Sequence, residues 1–169
     1  MAQAVSGHNS KILREDRQAV EQPGCNCRGG PHTCPVGGKC LTNCVVYEAT
    51  VIETQSGKKE TYTGVTSRPF KSRLYEHNAD MRKSDSRTKT CLSAHIWSLK
   101  DDGKDYDVTW KLKDRAATAY NSTTKKCRIC LKEKSHILYK RDGASLNKRS
   151  EIFNTCRHRT QQFLENFKT

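Results

Sequence analysis

The chain has 169 residues, 34% hydrophobic and 29% charged, with a formal net charge of +13. That is enough for one compact domain with a thin core and a small appendage. No apolar run approaches the length of a membrane span, and MAQAVSGHNSKILRED at the start has no apolar signal core, so the expected setting is intracellular and reducing. Fifteen Lys/Arg stand against five Asp/Glu in residues 111–169, so ten of the thirteen net charges fall in the last third. A field so placed attracts polyanions, and nucleic acid is the expected partner rather than a membrane.

Residues 1–24 carry no net charge and end in Gln-Pro-Gly, the pattern of a disordered lead or linker, or of one short helix around KILREDRQAVEQ. Residues 25–44, CNCRGGPHTCPVGGKCLTNC, hold five cysteines among Gly and Pro without helical or strand periodicity. Such a loop cannot bury a core of its own, and thiolate–zinc bonds would supply the missing energy. Cys25, Cys27, Cys34 and Cys40 are the expected zinc ligands, with His32 as a substitute and Cys44 running into the next element; free thiols in a flexible loop are the alternative.

VVYEATVI, the turn-prone QSGK and TYTGV read as an antiparallel hairpin, with Gly64 ending the second strand. Ser67 and Pro69 open a helix on which Phe70, Leu74, His77 and Met81 share a face, with Arg73 one turn before His77. Two tyrosines, Tyr47 and Tyr62, thus converge with an arginine and a histidine beside one small sheet. RKSDSRTKT is a polar loop, and CLSAHIWSLK a second helix with Leu92, Ile96 and Leu99 at core spacing. In DDGKDYDVTWKLK, Tyr106, Val108, Trp110 and Leu112 alternate with Asp107, Thr109 and Lys111, the signature of a half-buried strand.

RAATAYNSTTKK bridges to the helix CRICLKEKSHILYK, where Glu133 shares a face with Ile129 and Ile137. A carboxylate between apolar positions is costly unless a cation or donors accompany it. RDGASLNKRSE reads as a turn that returns Asn147 towards the sheet, and EIFNTCRHRTQQFLENF as a final amphipathic helix. Cys127, Cys130, Cys156 and His158 form a possible second zinc set, in which Cys-x-x-Cys is the strong half and His136 could replace His158; buried free cysteines are the alternative.

VVY, then YTG after fourteen intervening residues, then FKSRLYEH resembles the GIY-YIG nuclease motif. Val45 stands where that family's first glycine usually stands, and Thr63 where its isoleucine does. The words CNCRGGPHTCPVGGKCLT, CRICLKEK and LNKRSEIFNTCRH are similar to the endonuclease domain of Penelope-like retroelements, over most of the chain from about residue 25. The resemblance implies an α+β fold: a small three-stranded antiparallel sheet flanked by helices over residues 45–169, behind an N-terminal zinc loop.

It also implies roles. Glu133 would hold one Mg²⁺ or Mn²⁺, and Arg73 would lie against the phosphate, where its planar fork suits two oxygens. Tyr47 would be general base for the attacking water, with Tyr62 positioning water or phosphate and His77 assisting; Asn147 would steady the glutamate end of the site. Lys71, Lys132, Lys134, Lys148, Arg149, Arg157 and Arg159 are the expected DNA contacts. The implied product is a nick with a 3′-hydroxyl and 5′-phosphate, which in a nuclear retroelement would prime an upstream reverse transcriptase of the same polyprotein. The reading from a different class is a zinc-containing nucleic-acid-binding module that has lost catalysis.

Overall fold

The computed structural model describes residues 24–121, 126–139, 145–147, 156 and 158. The lead over residues 1–23, and the final helix expected after residue 150 apart from Cys156 and His158, lie outside them. β1 (Val45–Glu53), a β-branched and apolar run, is buried along almost its whole length. Such a strand needs a neighbour on each side and cover on both faces. It pairs antiparallel with β2 (Lys59–Thr66) and with β3 (Tyr106–Arg115), giving a three-stranded sheet of order β2-β1-β3. The expected α+β architecture with its hairpin and three-stranded sheet is therefore present. In the hairpin turn Gly57 adopts φ 68° and donates its N–H to the Glu53 carbonyl at 2.8 Å, a left-handed conformation that glycine takes without strain.

Two local features differ from the sequence reading. β2 does not end at Gly64 but runs on to Thr66, and Gly64 lies mid-strand opposite Tyr47. Secondly, Val46 faces Asp114 while Tyr47 faces Leu112, so Lys113 is the extra residue of a bulge in β3. A bulge adds local twist and re-aims the side chain beside it, here Tyr47.

α1 (Phe70–Asp80) starts after Pro69 and has no side-chain cap. Its first N–H groups go instead to the cysteine loop: Phe70 to the Thr42 carbonyl at 2.8 Å and Lys71 to the Cys40 carbonyl at 2.7 Å. α2 (Cys91–Asp101) opens on a reciprocal cap in which Thr90 and Ser93 exchange side-chain-to-backbone bonds, both at 3.0 Å. Trp97 donates to the Asp80 carbonyl at 3.0 Å and ties the two helices together. Val45, Tyr47, Ala49 and Val51 on one face of β1 pack against Phe70 and Leu74 of α1, Met81 just after it, and Leu92, Ile96 and Leu99 of α2. Each such fully buried large side chain contributes about 1.5–3 kcal/mol. β3 alternates as expected, with Tyr106, Val108, Trp110 and Leu112 turned inward.

The segment read as a bridge contains a second, two-stranded ribbon of β4 (Tyr120–Asn121) and β5 (Lys126–Cys127). Strands of two residues leave no periodicity to detect. The ribbon leads into α3 (Arg128–Tyr139), whose fully buried Ile129 packs near Val65 of β2. Residues 145–147 then lie along the outer edge of β2. Leu146 donates to the Thr61 carbonyl at 3.0 Å, and Asn147 both accepts from the Thr63 N–H and donates to its carbonyl, each at 2.8 Å. No helix among the described residues is long and apolar enough to cross a membrane.

Candidate active site and cysteine clusters

Four of the expected site residues meet where α1 crosses β1 and β2. Spacing of i and i+4 puts Arg73 and His77 on one side of α1, and the sheet presents Tyr47 beneath them. The Tyr47 phenol lies 2.8 Å from His77 Nε2, and Arg73 Nε donates to the same phenol oxygen at 3.1 Å. Phe70 and Trp110 close round the ring, with centroids 5.2 and 6.1 Å away, and the Tyr62 ring stands edge-on to His77 at 5.9 Å. A β-carbon on Gly64 would fall 2.5 Å from the Tyr47 oxygen and 2.6 Å from Cζ. Only glycine leaves room for the phenol, which is the reason for a glycine in the middle of β2.

Burial sets the electrostatics of this trio. It pushes the Tyr47 phenol up to about 12, over the opposing charge and hydrogen bond of Arg73; the charges of Glu133 and Glu76 add to the rise. Burial likewise drives His77 down to about 3, helped by the nearby Arg73 guanidinium, so the imidazole is neutral near pH 7. The phenol oxygen thus lies between the Arg73 Nε–H, which donates to it, and His77 Nε2. Nδ1 of His77 is buried without a hydrogen-bond partner among the described residues, as is Oδ2 of Asp80 one helical turn further on.

A His kept neutral in the fold titrates near 6.5 in the unfolded chain, which therefore binds the extra proton between about 6.5 and about 3. Stability should fall as the pH drops through that window, by about 2 kcal/mol between pH 6.5 and 5. Urea unfolding at both pH values checks this: with excess zinc present, His77→Gln should show a smaller loss than the parent.

Glu133 on α3 is half-buried, and its charge is felt at the Tyr47 phenol. Asn147, the residue implied to steady the glutamate end of the site, binds both backbone groups of Thr63 and so holds the Tyr62–Thr63–Gly64 segment in place. Of the expected DNA contacts, Lys71 binds the Asn26 side chain at 2.6 Å, and Lys132 binds Asp114 and the Arg115 carbonyl, both at 2.7 Å. These two act as internal braces in this state. Lys134 is half-buried on α3, and Lys148, Arg149, Arg157 and Arg159 lie outside the described residues. Arg68 and Glu76 were not anticipated: Glu76 pairs with Arg73 at 2.8 Å and with Arg68 at 2.5 Å. The i, i+3 spacing of Arg73 and Glu76 is a signal the sequence did carry.

All nine cysteines are free thiols. Cys25, Cys27, Cys34 and Cys40 bring their sulfurs together, as do Cys127, Cys130 and Cys156 with a nitrogen of His158; in each group all ligand atoms lie within 4.8 Å of one another. Cys40 is 3.5 Å from Cys25 and 3.8 Å from Cys27, sulfur to sulfur, and His158 Nδ1 is 3.2–3.4 Å from the three sulfurs of its group. A tetrahedron with bonds of about 2.3 Å has edges of about 3.8 Å, so these spacings suit a zinc ion. Burial works to raise Cys34, but backbone N–H groups of Val36 and Gly38 outweigh it and bring the thiol down to about 7. Cys127 falls to about 4, chiefly through its hydrogen bond with Cys130 and, against burial, with His158. In each group one sulfur is thus thiolate-prone, while Cys27 and Cys40 in the first and Cys130 and Cys156 in the second are pushed up. Both clusters can hold zinc, and neither uses His32, His136 or Cys44.

Comparisons of the chain with protein-family models, with curated proteins and with solved structures find no match.

Proposed function

We propose that the chain is a metal-dependent endonuclease of the GIY-YIG type, hydrolysing phosphodiester bonds of DNA. The observation that carries this reading is the buried Tyr47–His77–Arg73 contact built over Gly64. Two basic groups and a phenol, sealed together at the edge of a basic domain, form a costly arrangement for mere packing. It matches what phosphodiester hydrolysis requires: a proton acceptor for water and a fixed cation for the phosphoryl oxygens.

Arg73 is the cation, aligned by Tyr47 and Glu76. Tyr47 accepts the proton of the attacking water as its own proton passes to His77 Nε2, so the phenol need never exist as a free phenolate with its raised pKa. A phosphate laid against Arg73 offsets the positive charge that adds to burial in holding His77 down, which makes the imidazole a better acceptor once substrate is bound. Tyr62 and the Asn147-held strand line the place of the water and phosphate. Two carboxylates are felt at the phenol, Glu76 and Glu133. Glu76 is engaged by two arginines, and we assign Glu133 to the divalent ion. Mg²⁺ keeps several waters and takes one or two carboxylates, which a single glutamate satisfies. When bound, the ion would supply charge compensation at the phosphate. In this reading the nick leaves a 3′-hydroxyl that primes reverse transcription in a nuclear retroelement of the Penelope-like kind, and zinc at the two cysteine clusters is structural.

The complete burial of Tyr47 favours a second reading, a nucleic-acid-binding module whose catalytic phenol no longer meets water. Supercoiled plasmid incubated with the protein and Mg²⁺ separates the two. Nicked circles that vanish with EDTA are the expected result; DNA retained but uncut at any Mg²⁺ or Mn²⁺ concentration would favour the binding module.

A further inference from the structure

We propose that Arg68 and Arg73 together form a phosphate clamp, and that Glu76 occupies this clamp until a phosphate group displaces its carboxylate. The nucleic-acid identity of that phosphate rests on the reading above. Arg68 precedes α1 in a tight turn, where Thr66 Oγ1 accepts from the Arg68 N–H at 3.1 Å and donates to the Arg68 carbonyl at 3.2 Å. Its guanidinium then reaches along α1 to Glu76, eight residues away. The carboxylate gives one oxygen to each arginine: Oε1 to Arg68 Nη2 and Oε2 to Arg73 Nη1. Two guanidiniums that grip an anion through separate oxygens hold a phosphate equally well, since planar N–H forks suit both oxyanions.

Space for that anion is present. A cavity of about 150 Å³ opens beside the pair; the described residues that line it are Val65, Thr66, Ser67, Arg68, Arg73 and His158, with no carboxylate among them. Glu76 and Arg68 are 33% and 53% exposed, so their pairing is worth little net and exchanges readily. Arg73 links the clamp to the Tyr47 phenol by a direct hydrogen bond. Displacing Glu76 would therefore bring a phosphate to the guanidinium that touches the proposed proton acceptor.

The experiment measures duplex DNA binding in Ca²⁺ or EDTA, where cleavage is silent, for the parent, Arg68→Gln and Glu76→Gln. A clamp predicts opposite signs. Arg68→Gln should bind about tenfold more weakly and lower the log–log salt slope by about one, as loss of one phosphate contact does. Glu76→Gln should bind several-fold more tightly, because the competing carboxylate has gone. Each variant also changes the net charge, which alone shifts affinity with these signs, so Arg82→Gln and Asp85→Asn, exposed changes of the same charge away from the clamp, set the background; shifts no larger than theirs would overturn the clamp. Titrating inorganic phosphate while following the arginine Nε–H resonances separates this from the nuclease reading. Shifts in the parent but not in Arg68→Gln support the clamp even if no DNA is cut; no shift and no DNA binding in the parent would reject it.

Discussion

A Glu133→Ala chain should bind duplex DNA as well as the parent yet nick supercoiled plasmid at least about 10³-fold more slowly, because the only carboxylate assigned to the divalent ion has gone. Its charge is felt at the Tyr47 phenol, so the same change should lower the phenol's pKa slightly rather than raise it. Loss of rate without loss of binding therefore identifies the missing metal and not a damaged base. Glu133→Gln adds a control, since it keeps the shape and removes the charge. Plasmid nicking and fluorescence anisotropy on one preparation give both readouts. Cleavage at the parental rate by Glu133→Ala would remove that residue from the chemistry and leave Tyr47, Arg73 and His77 without their ion.

Metal removal should have the larger effect on stability. Protein purified under reducing conditions without chelator should contain close to two zinc ions per chain, one for each four-residue cluster. Stripping them should lower the melting temperature by at least about 10 °C, since a structural zinc site carries several kcal/mol of folding energy and each is worth about 2–4 °C in a chain of this size. Cys34→Ser and Cys127→Ser divide that loss between the clusters. The first should also weaken α1, whose opening N–H groups rest on carbonyls of Thr42 and Cys40 in the cysteine loop. Arg73 and His77 ride on that helix, so Cys34→Ser should impair nicking although Cys34 is not among the groups bonded to the phenol. A metal content well below one per chain would count against both clusters.

Much of this arrangement could be read from the residues because the signals were local. VVYEATVI announced a buried strand through β-branching, the alternation in YDVTWKL gave β3 its inward face, and Phe70, Leu74 and His77 were phased by the helical repeat. Both cysteine groups followed from spacing and composition, although Cys156 and His158 join Cys127 and Cys130 only through the fold. What the sequence hid depends on register. The bulge at Lys113 has no residue signature, and the fit of Gly64 over Tyr47 exists only because those positions pair across β1 and β2. The return of Asn147 towards the sheet could be read from the RDGASLNKRSE turn, but not its partner, the Thr63 backbone 84 residues earlier. Glu76 meets Arg68 across eight residues, a pairing that helical spacing alone does not bring about.

That distant contact bears on how the molecule behaves in company. β2 is an outer strand of its sheet, and outer strands present unpaired N–H and carbonyl groups on which another chain can build. Here the outward groups of Thr61 and Thr63 are taken by Ser145, Leu146 and Asn147. The opposite margin, β3, is guarded by exposed Asp107 and Lys111 instead. A protein trimmed before residue 145 would bare the β2 margin and gain a route to self-association, so the short turn that steadies the tyrosine strand also keeps neighbouring copies from docking onto it.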